Sequence, residues 1–429
     1  MPNKLKKFWL SLGPGLITGA ADDDPSGIAV FSIAGAQFGL GMLWTALFSL
    51  PFMIVIQRMA GRIGLISGKG LAGNMKKHYP AWILIIITIA ILAANIINIG
   101  ADISAMAAAI ELLFPVPALL MSAIISGTII LLLIFLSYRQ IARYLKWVAL
   151  ILFSYIFAAF LVHQPWREIL VRSILPPFHW NRSYLTMLVA IFGTTISPYL
   201  FFWQASEEVE EERMHQDHNI ANMIPDIKPH GPHRSKIIIK NEVGVMYKDI
   251  YFGMIFSNLI TFFIIILSSA TLHTNGFTNV LSIKQIAEVL RPLAGQYASV
   301  LFLIGIMASG ILAIPVLAGS AAYALAEVFG WKDGFDNNFG RAKQFYVVII
   351  LATLLGLAIP LFRLEPIKIL YYTAVMFGVM SPVLIAMVIH MANNPKIMGA
   401  YTSRLWSNVI AFILLIIMSV SIVLMFWVR

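Results

Sequence analysis

The chain has 429 residues, of which 59% are hydrophobic and only 12% charged, and its mean hydropathy is +0.84. Soluble domains carry about 25% charged residues, so a soluble core of this size is excluded and a polytopic helical membrane protein is expected. The formal charge of +10 lies mostly in short loops between apolar runs, which is a topology signal and not a nucleic-acid surface, and the absence of cysteine excludes disulfides and thiolate metal sites.

Eleven apolar segments follow one another, at about 12–38, 41–61, 81–113, 117–137, 144–163, 184–206, 248–271, 297–327, 343–362, 366–390 and 405–428. They predict an all-α fold forming one membrane domain over residues 1–429. The N-terminal "MPNKLKKFWLSLGPG" is basic but lacks a small-residue cleavage pattern, so it reads as a cytoplasmic end and not as a signal peptide.

Segment one is interrupted at "GAADDDPSGIA", where Asp22, Asp23 and Asp24 precede Pro25. Successive helical residues point about 100° apart, so three adjacent acids cannot face one ion from a regular helix. Asp24, beside the proline, sits where the backbone unwinds, and a charge at that depth needs a bound cation, water or protonation to compensate it. Asp22 or Asp23 reads as part of a solvated cluster, with Asp23 otherwise a further acid of the metal site.

The loop after segment two carries Arg62, Lys69, Lys76 and Lys77, and "SYRQIARYLK" after segment four carries Arg139, Arg143 and Lys146. Both lie on the side of Lys4, Lys6 and Lys7, which places the N-terminus in the cytoplasm and the C-terminus outside. "HQPWREILVRSILPPFHWNR" disagrees in charge and reads as an interfacial amphipathic stretch anchored by Trp166 and Trp180. On segment three, Asn95, Asn98 and Asp102 are spaced i, i+3, i+7 and share one helix face, as a lining of an ion path, a proton relay or an interhelical hydrogen-bond network would require.

Segment six is interrupted at "FGTTISPYL", with Gly193 and Pro198. Asp24-Pro25 and Ser197-Pro198 are equivalent dipeptides five segments apart, and paired discontinuous helices point to a transport site at the bilayer midplane. Segments 1–5 (about 12–163) and 6–10 (about 184–390) are therefore read as inverted repeats, with segment eleven (about 405–428) peripheral. The acidic run from Glu207 to Glu212 reads either as a cation-attracting mouth or as a solvated helix extension. His215, His218, His230 and His233 follow it, among prolines that argue for a flexible loop over a metal site. On segment ten, Tyr372 and Thr373 are expected to line the path.

These stretches, with "FGWKDGFDNNFGRAKQFY" before segment nine, resemble the NRAMP divalent-metal transporters over nearly the whole chain, and within them the magnesium-transporting, NRAMP-related branch. The resemblance implies a LeuT-type 5+5 inverted repeat with helices one and six broken. It implies metal contacts from the Asp24 carboxylate, the carbonyls of Ala21 and Thr194, and the residue at Ser197, where the family has a sulfur ligand. The family's first-helix Asn is replaced by Gly27, a helix-ten Gln falls near Ala374, a helix-six His tied to proton movement falls at Tyr199, and a proton-accepting Glu falls near Asp102.

Loss of the thioether leaves only oxygen ligands, which suit a hard, partly hydrated ion. The expectation is a monomeric, non-enzymatic secondary transporter in the bilayer of a bacterial inner membrane. It has no cofactor: its cargo is Mg²⁺ and/or Mn²⁺, moved by alternating access. The rival readings are a proton-coupled Mn²⁺/Fe²⁺ symporter, a cation-coupled amino-acid symporter of the same fold, and an intramembrane aspartyl protease using Asp24 with Asp102.

Overall fold

The computed structural model describes residues 13–136, 138–220, 236–280, 282–362 and 364–428. Among them there is no β-strand, and eleven helical stretches are long and apolar enough to cross a membrane. Hydrocarbon offers the backbone no hydrogen bonds, so a spanning chain must satisfy them internally as helix. The chain is a multi-pass integral membrane protein.

The first span consists of α1 (Pro14–Asp22) and α2 (Pro25–Phe38); α3 (Trp44–Ser67) forms the second, followed by a short α4 (Leu71–His78). The third and fourth are α5 (Ala81–Leu113) and α6 (Ala118–Phe135), and the fifth is α7 (Tyr138–Ile151) continued by α8 (Phe153–Phe160). After the surface helix α9 (Trp166–Ile174), the sixth span again comes in two pieces, α10 (Arg182–Thr195) and α11 (Pro198–Ile220). Spans seven to ten are α12 (Lys236–Thr271), α13 (Ile283–Phe329), α14 (Lys343–Leu357) and α15 (Pro366–Asn393); α16 (Pro395–Met398) leads into the last, α17 (Leu405–Trp427).

The packing repeats itself. α2 lies on α12 as α11 lies on α3; α5 lies on α13; and α5 meets α15 as α13 meets α7 and α8. These pairings map onto one another when spans 1–5 are exchanged with spans 6–10. Five is odd, so the second set enters the membrane from the opposite face. α17 packs on α3, α10 and α15 outside this core, and its far face carries exposed Ile416, Val420 and Phe426.

Both breaks have local causes. Pro25 and Pro198 each open a helix at the position where a missing N–H costs nothing. Asp24 is extended (φ −65°, ψ 170°), and its side chain accepts from Gly27 N, capping α2. The first and seventh spans then approach at backbone distance. A Cβ on Gly15 would stand 2.6 Å from Ile250 N, and one on Gly19 would overlap the Gly253 carbonyl. Gly15 and Gly19 are four apart, the small-residue spacing that lets membrane helices close on one another.

Some expected boundaries move. "YRQIARYLK" is helix within α7 and not a loop: Ile141, Leu145 and Ala149, at i, i+4 and i+8, are buried while Arg143 and Tyr144 face out. The stretch around Trp166 does form an amphipathic helix, with Trp166 and Trp180 exposed.

Candidate functional site

Asp24 lies at the break in the first span and is 1% exposed. Its Oδ1 accepts from Ser26 Oγ at 2.5 Å and from Gly27 N at 2.7 Å, while Oδ2 accepts from Asn98 Nδ2 of α5 at 2.8 Å. Asn98 turns its Oδ1 to Thr373 Oγ1 of α15 at 2.9 Å, and its Nδ2 lies 3.3 Å from Asp102 Oδ2. Ser26 Oγ is 3.4 Å from Thr194 Oγ1 at the end of α10. The carboxylate is held directly by groups of the first and third spans, and the sixth and tenth reach it through Ser26 and Asn98.

The second break closes against the first. Tyr199 Oη donates to the Ala21 carbonyl at 3.0 Å, tying α11 to the end of α1. Ser197 Oγ, with one hydrogen to give, lies 2.9 Å from Gly193 O and 2.7 Å from Thr194 O, the carbonyls that the break frees. A Cβ on Gly27 would stand 3.1 Å from Thr194 Oγ1, so the small residue lets α10 come this close. Ala21, Asp24, Thr194, Ser197 and Tyr199 are all at most 1% exposed, so the arrangement is closed toward both faces.

The acid triplet is split between two sides. Asp22 Oδ2 accepts from Ser257 Oγ at 2.8 Å, and Asp23 Oδ1 from Thr261 Oγ1 at 3.3 Å, both on α12. A solvated cluster at Asp22 and Asp23 is therefore corrected: both are buried, at 1% and 0% exposure. Asp23 shares none of the α5, α10 or α15 groups gathered at Asp24. Each of the two keeps one buried carboxylate oxygen without a hydrogen-bond partner, as does Asp102.

Other expectations also sort by geometry. Asn98, Asp102 and Thr373 meet Asp24, directly or through Asn98. Asn95 turns instead to α13, donating to Leu317 O and Ser320 Oγ at 2.9 Å each. Tyr372, expected to line the path, is 68% exposed on the outside of α15. The protease reading needs two carboxylates converging on water, but the Asn98 amide stands between Asp24 and Asp102 and reaches both.

The acidic run is not a solvated extension either. Glu207, Glu208, Glu210 and Glu212 are buried. Glu210 accepts from Tyr323 Oη, from Phe335 N at 3.0 Å and from Asp336 N, and Gln204 Nε2 donates to Glu208 at 2.8 Å. Nearby, Asp249 of α12 accepts from Gly15 N at 2.6 Å and Leu16 N at 3.2 Å, capping α1 from across the bundle. The side chains of His215 and His218, and all of His230 and His233, lie outside the described residues.

Ser26, Ser257, Thr261 and Asp249 escape the sequence reading. For Ser26 a signal exists: Asp-Pro-Ser-Gly is an N-cap followed by proline at the first helical position, which places the next donors on the carboxylate. Among the described residues, no three His, Asp or Glu side chains converge at metal-ligand spacing. A cation at Asp24 would therefore meet one carboxylate and otherwise neutral oxygens.

Known proteins bear on the identity of this chain. It is 25% identical over 434 residues to a divalent metal cation transporter MntH of Staphylococcus haemolyticus, covering 96% of this chain and 91% of that one. It is equally similar over 313 residues to the protein of that name from Mesorhizobium japonicum, but spans only 64% of that relative's length. The solved manganese transporter of Eremococcus coleocola superposes with a TM-score of 0.76 at 17% identity, over 97% of this chain and 86% of that one, and shares its fold. The family model described as natural resistance-associated macrophage protein-like matches residues 15–428, and the chain belongs to that family.

Proposed function

We propose that the chain is a secondary transporter carrying divalent metal cations, Mg²⁺ and/or Mn²⁺, across a bacterial inner membrane. The single observation that carries the reading is Asp24: a carboxylate buried where the first span breaks, facing the broken sixth span through Ser26 and Thr194. The relatives named divalent metal cation transporters support the class of cargo.

The ion would bind Asp24 Oδ2, with Asn98 Oδ1, the Thr194 hydroxyl and the Ala21 carbonyl reached directly or through water. One carboxylate with neutral oxygens suits a hard ion that keeps part of its hydration shell. No thioether or imidazole stands at Ser197 or Tyr199 to favour softer metals. Because the site is closed toward both faces, loading and release require α1 and α11 to move in turn, opening one side at a time. The side bearing Lys69, Lys76 and Lys77 would be cytoplasmic.

Reconstitution into liposomes holding Mg²⁺-, Mn²⁺- and pH-sensitive dyes tests this. Uptake of either metal without internal acidification is expected. Acidification in step with metal entry would instead mark a proton symporter, and uptake of a radiolabelled amino acid with no metal flux would refute the cargo.

A further inference from the structure

A cavity that shares no residue with the Asp24 site lies where the ends of three spans meet: the last turns of α3, the beginning of α12 and the start of α17. Its volume is about 760 Å³, and its wall includes Arg58, Arg62, Tyr247, Tyr401, Arg404 and Ser407. No Asp or Glu stands among the described residues that line it. Nothing in the transport reading uses it.

Two of the three arginines are held in place, and not by acids; Arg404 is exposed. Arg62 is 9% exposed and donates to the carbonyls of Tyr401 and of Thr402, the latter at 3.2 Å. Arg58 lies over the Tyr247 ring at 3.7 Å and donates through Nη1 to Tyr251 Oη at 2.8 Å; its buried Nε has no partner. Arg58 and Arg404 both repel the Arg62 charge. Among the described residues no ion pair involves any of the three. Gathering three like charges around one cavity is unfavourable unless an anion shares it.

The geometry favours a phosphate. Guanidinium groups present paired N–H donors that match its oxygens. Arg404 is also the N-cap of the 23-residue α17, with no side-chain cap on that turn, so free backbone donors and the positive end of a helix face the same place. The surroundings indicate where the phosphate comes from. Leu405 and Trp406, beside Arg404, are 76% and 78% exposed at the beginning of a membrane span, where tryptophan marks the headgroup level.

We propose that this cavity is a binding site for the phosphodiester headgroup of an anionic membrane lipid, gripped by Arg58, Arg62 and Arg404. The acyl chains would lie along the apolar faces of α12 and α17. The site sits on the side of the bilayer that carries the basic loop of Lys69, Lys76 and Lys77, where an anionic leaflet attracts clustered cations.

The full-length protein, purified in detergent, would be titrated with phosphatidylglycerol, cardiolipin, phosphatidylcholine or inorganic phosphate, reading bound lipid by native mass spectrometry and the thermal midpoint. The anionic lipids should bind and raise the midpoint while phosphatidylcholine does not. Arg404→Gln and Arg58→Gln should each weaken binding about fivefold, and Arg404→Lys should keep most of it. Arg404 is exposed, so its substitution leaves the core intact, and midpoints without lipid check folding of both variants. Equal binding of phosphatidylcholine, or unchanged binding when Arg58→Gln and Arg404→Gln are combined, would overturn the site. Stabilisation by inorganic phosphate alone would assign it to a soluble anion. Neither readout depends on the cargo.

Discussion

Asn98 donates to Asp24 across the gap between the third span and the broken first span, at 2.8 Å, while its own carbonyl receives Thr373 from the tenth. Thr373 therefore reaches the carboxylate only through Asn98. Replacing Asn98 by Ala should lower uptake about tenfold, the effect of losing one hydrogen bond to a charged group. Thr373→Val should be milder, and the double variant should do no more than Asn98→Ala. Uptake rates of the three proteins check this; additive losses would mean that Thr373 acts by another route.

The start of α1 is secured by an acid from another span. Asp249 accepts from Gly15 N and Leu16 N, so Asp249→Ala removes both bonds and a charge from the positive end of the helix. The chain has no cysteine, so a single Leu16→Cys reports on this contact without interference. Labelling by a soluble maleimide should be slow in that background and about tenfold faster once Asp249 is also replaced. Equal rates would show that the cap does not hold α1 closed.

Glycine at the crossing of the first and seventh spans should be irreplaceable. A methyl group at Gly19 overlaps the Gly253 carbonyl, a backbone atom that cannot rotate away. Gly19→Ala should lower stability by about 1–3 kcal/mol, seen as a fall in thermal midpoint, whereas Gly244→Ala, with open space around it, should cost little. Similar midpoints for the two would contradict the close approach.

Ser197 lies against the carbonyls of Gly193 and Thr194 at the break in the sixth span. Ser197→Met removes that hydroxyl and introduces a soft sulfur. The ratio of Cd²⁺ to Mg²⁺ uptake should rise. An unchanged ratio would mean that position 197 does not face the ion.

The eleven spans and both breaks are legible in the sequence because each rests on local signals, an apolar run or a proline after a capping side chain. Asp24 stands out for the same reason: Asp-Pro-Ser-Gly is a complete helix start within four residues. What escapes depends on residues far along the chain. The Glu207–Glu212 run looks like a solvated face until Tyr323, Phe335 and Asp336, more than a hundred residues later, bring it donors. Asp22 and Asp23 look solvated until α12 supplies Ser257 and Thr261. A membrane span offers two or more buried faces, and sequence spacing does not tell which neighbour each one meets.

Asp24→Asn gives the most direct test of the transport site. Asparagine caps a helix as well as aspartate, so the Gly27 bond and the fold should survive, with at most about 1 kcal/mol lost. The charge that would hold the ion does not survive. In liposomes, Mg²⁺ and Mn²⁺ uptake by this variant should fall at least about tenfold, with the thermal midpoint nearly unchanged. Uptake equal to that of the unaltered protein would contradict the assignment of Asp24 as the residue that binds the metal.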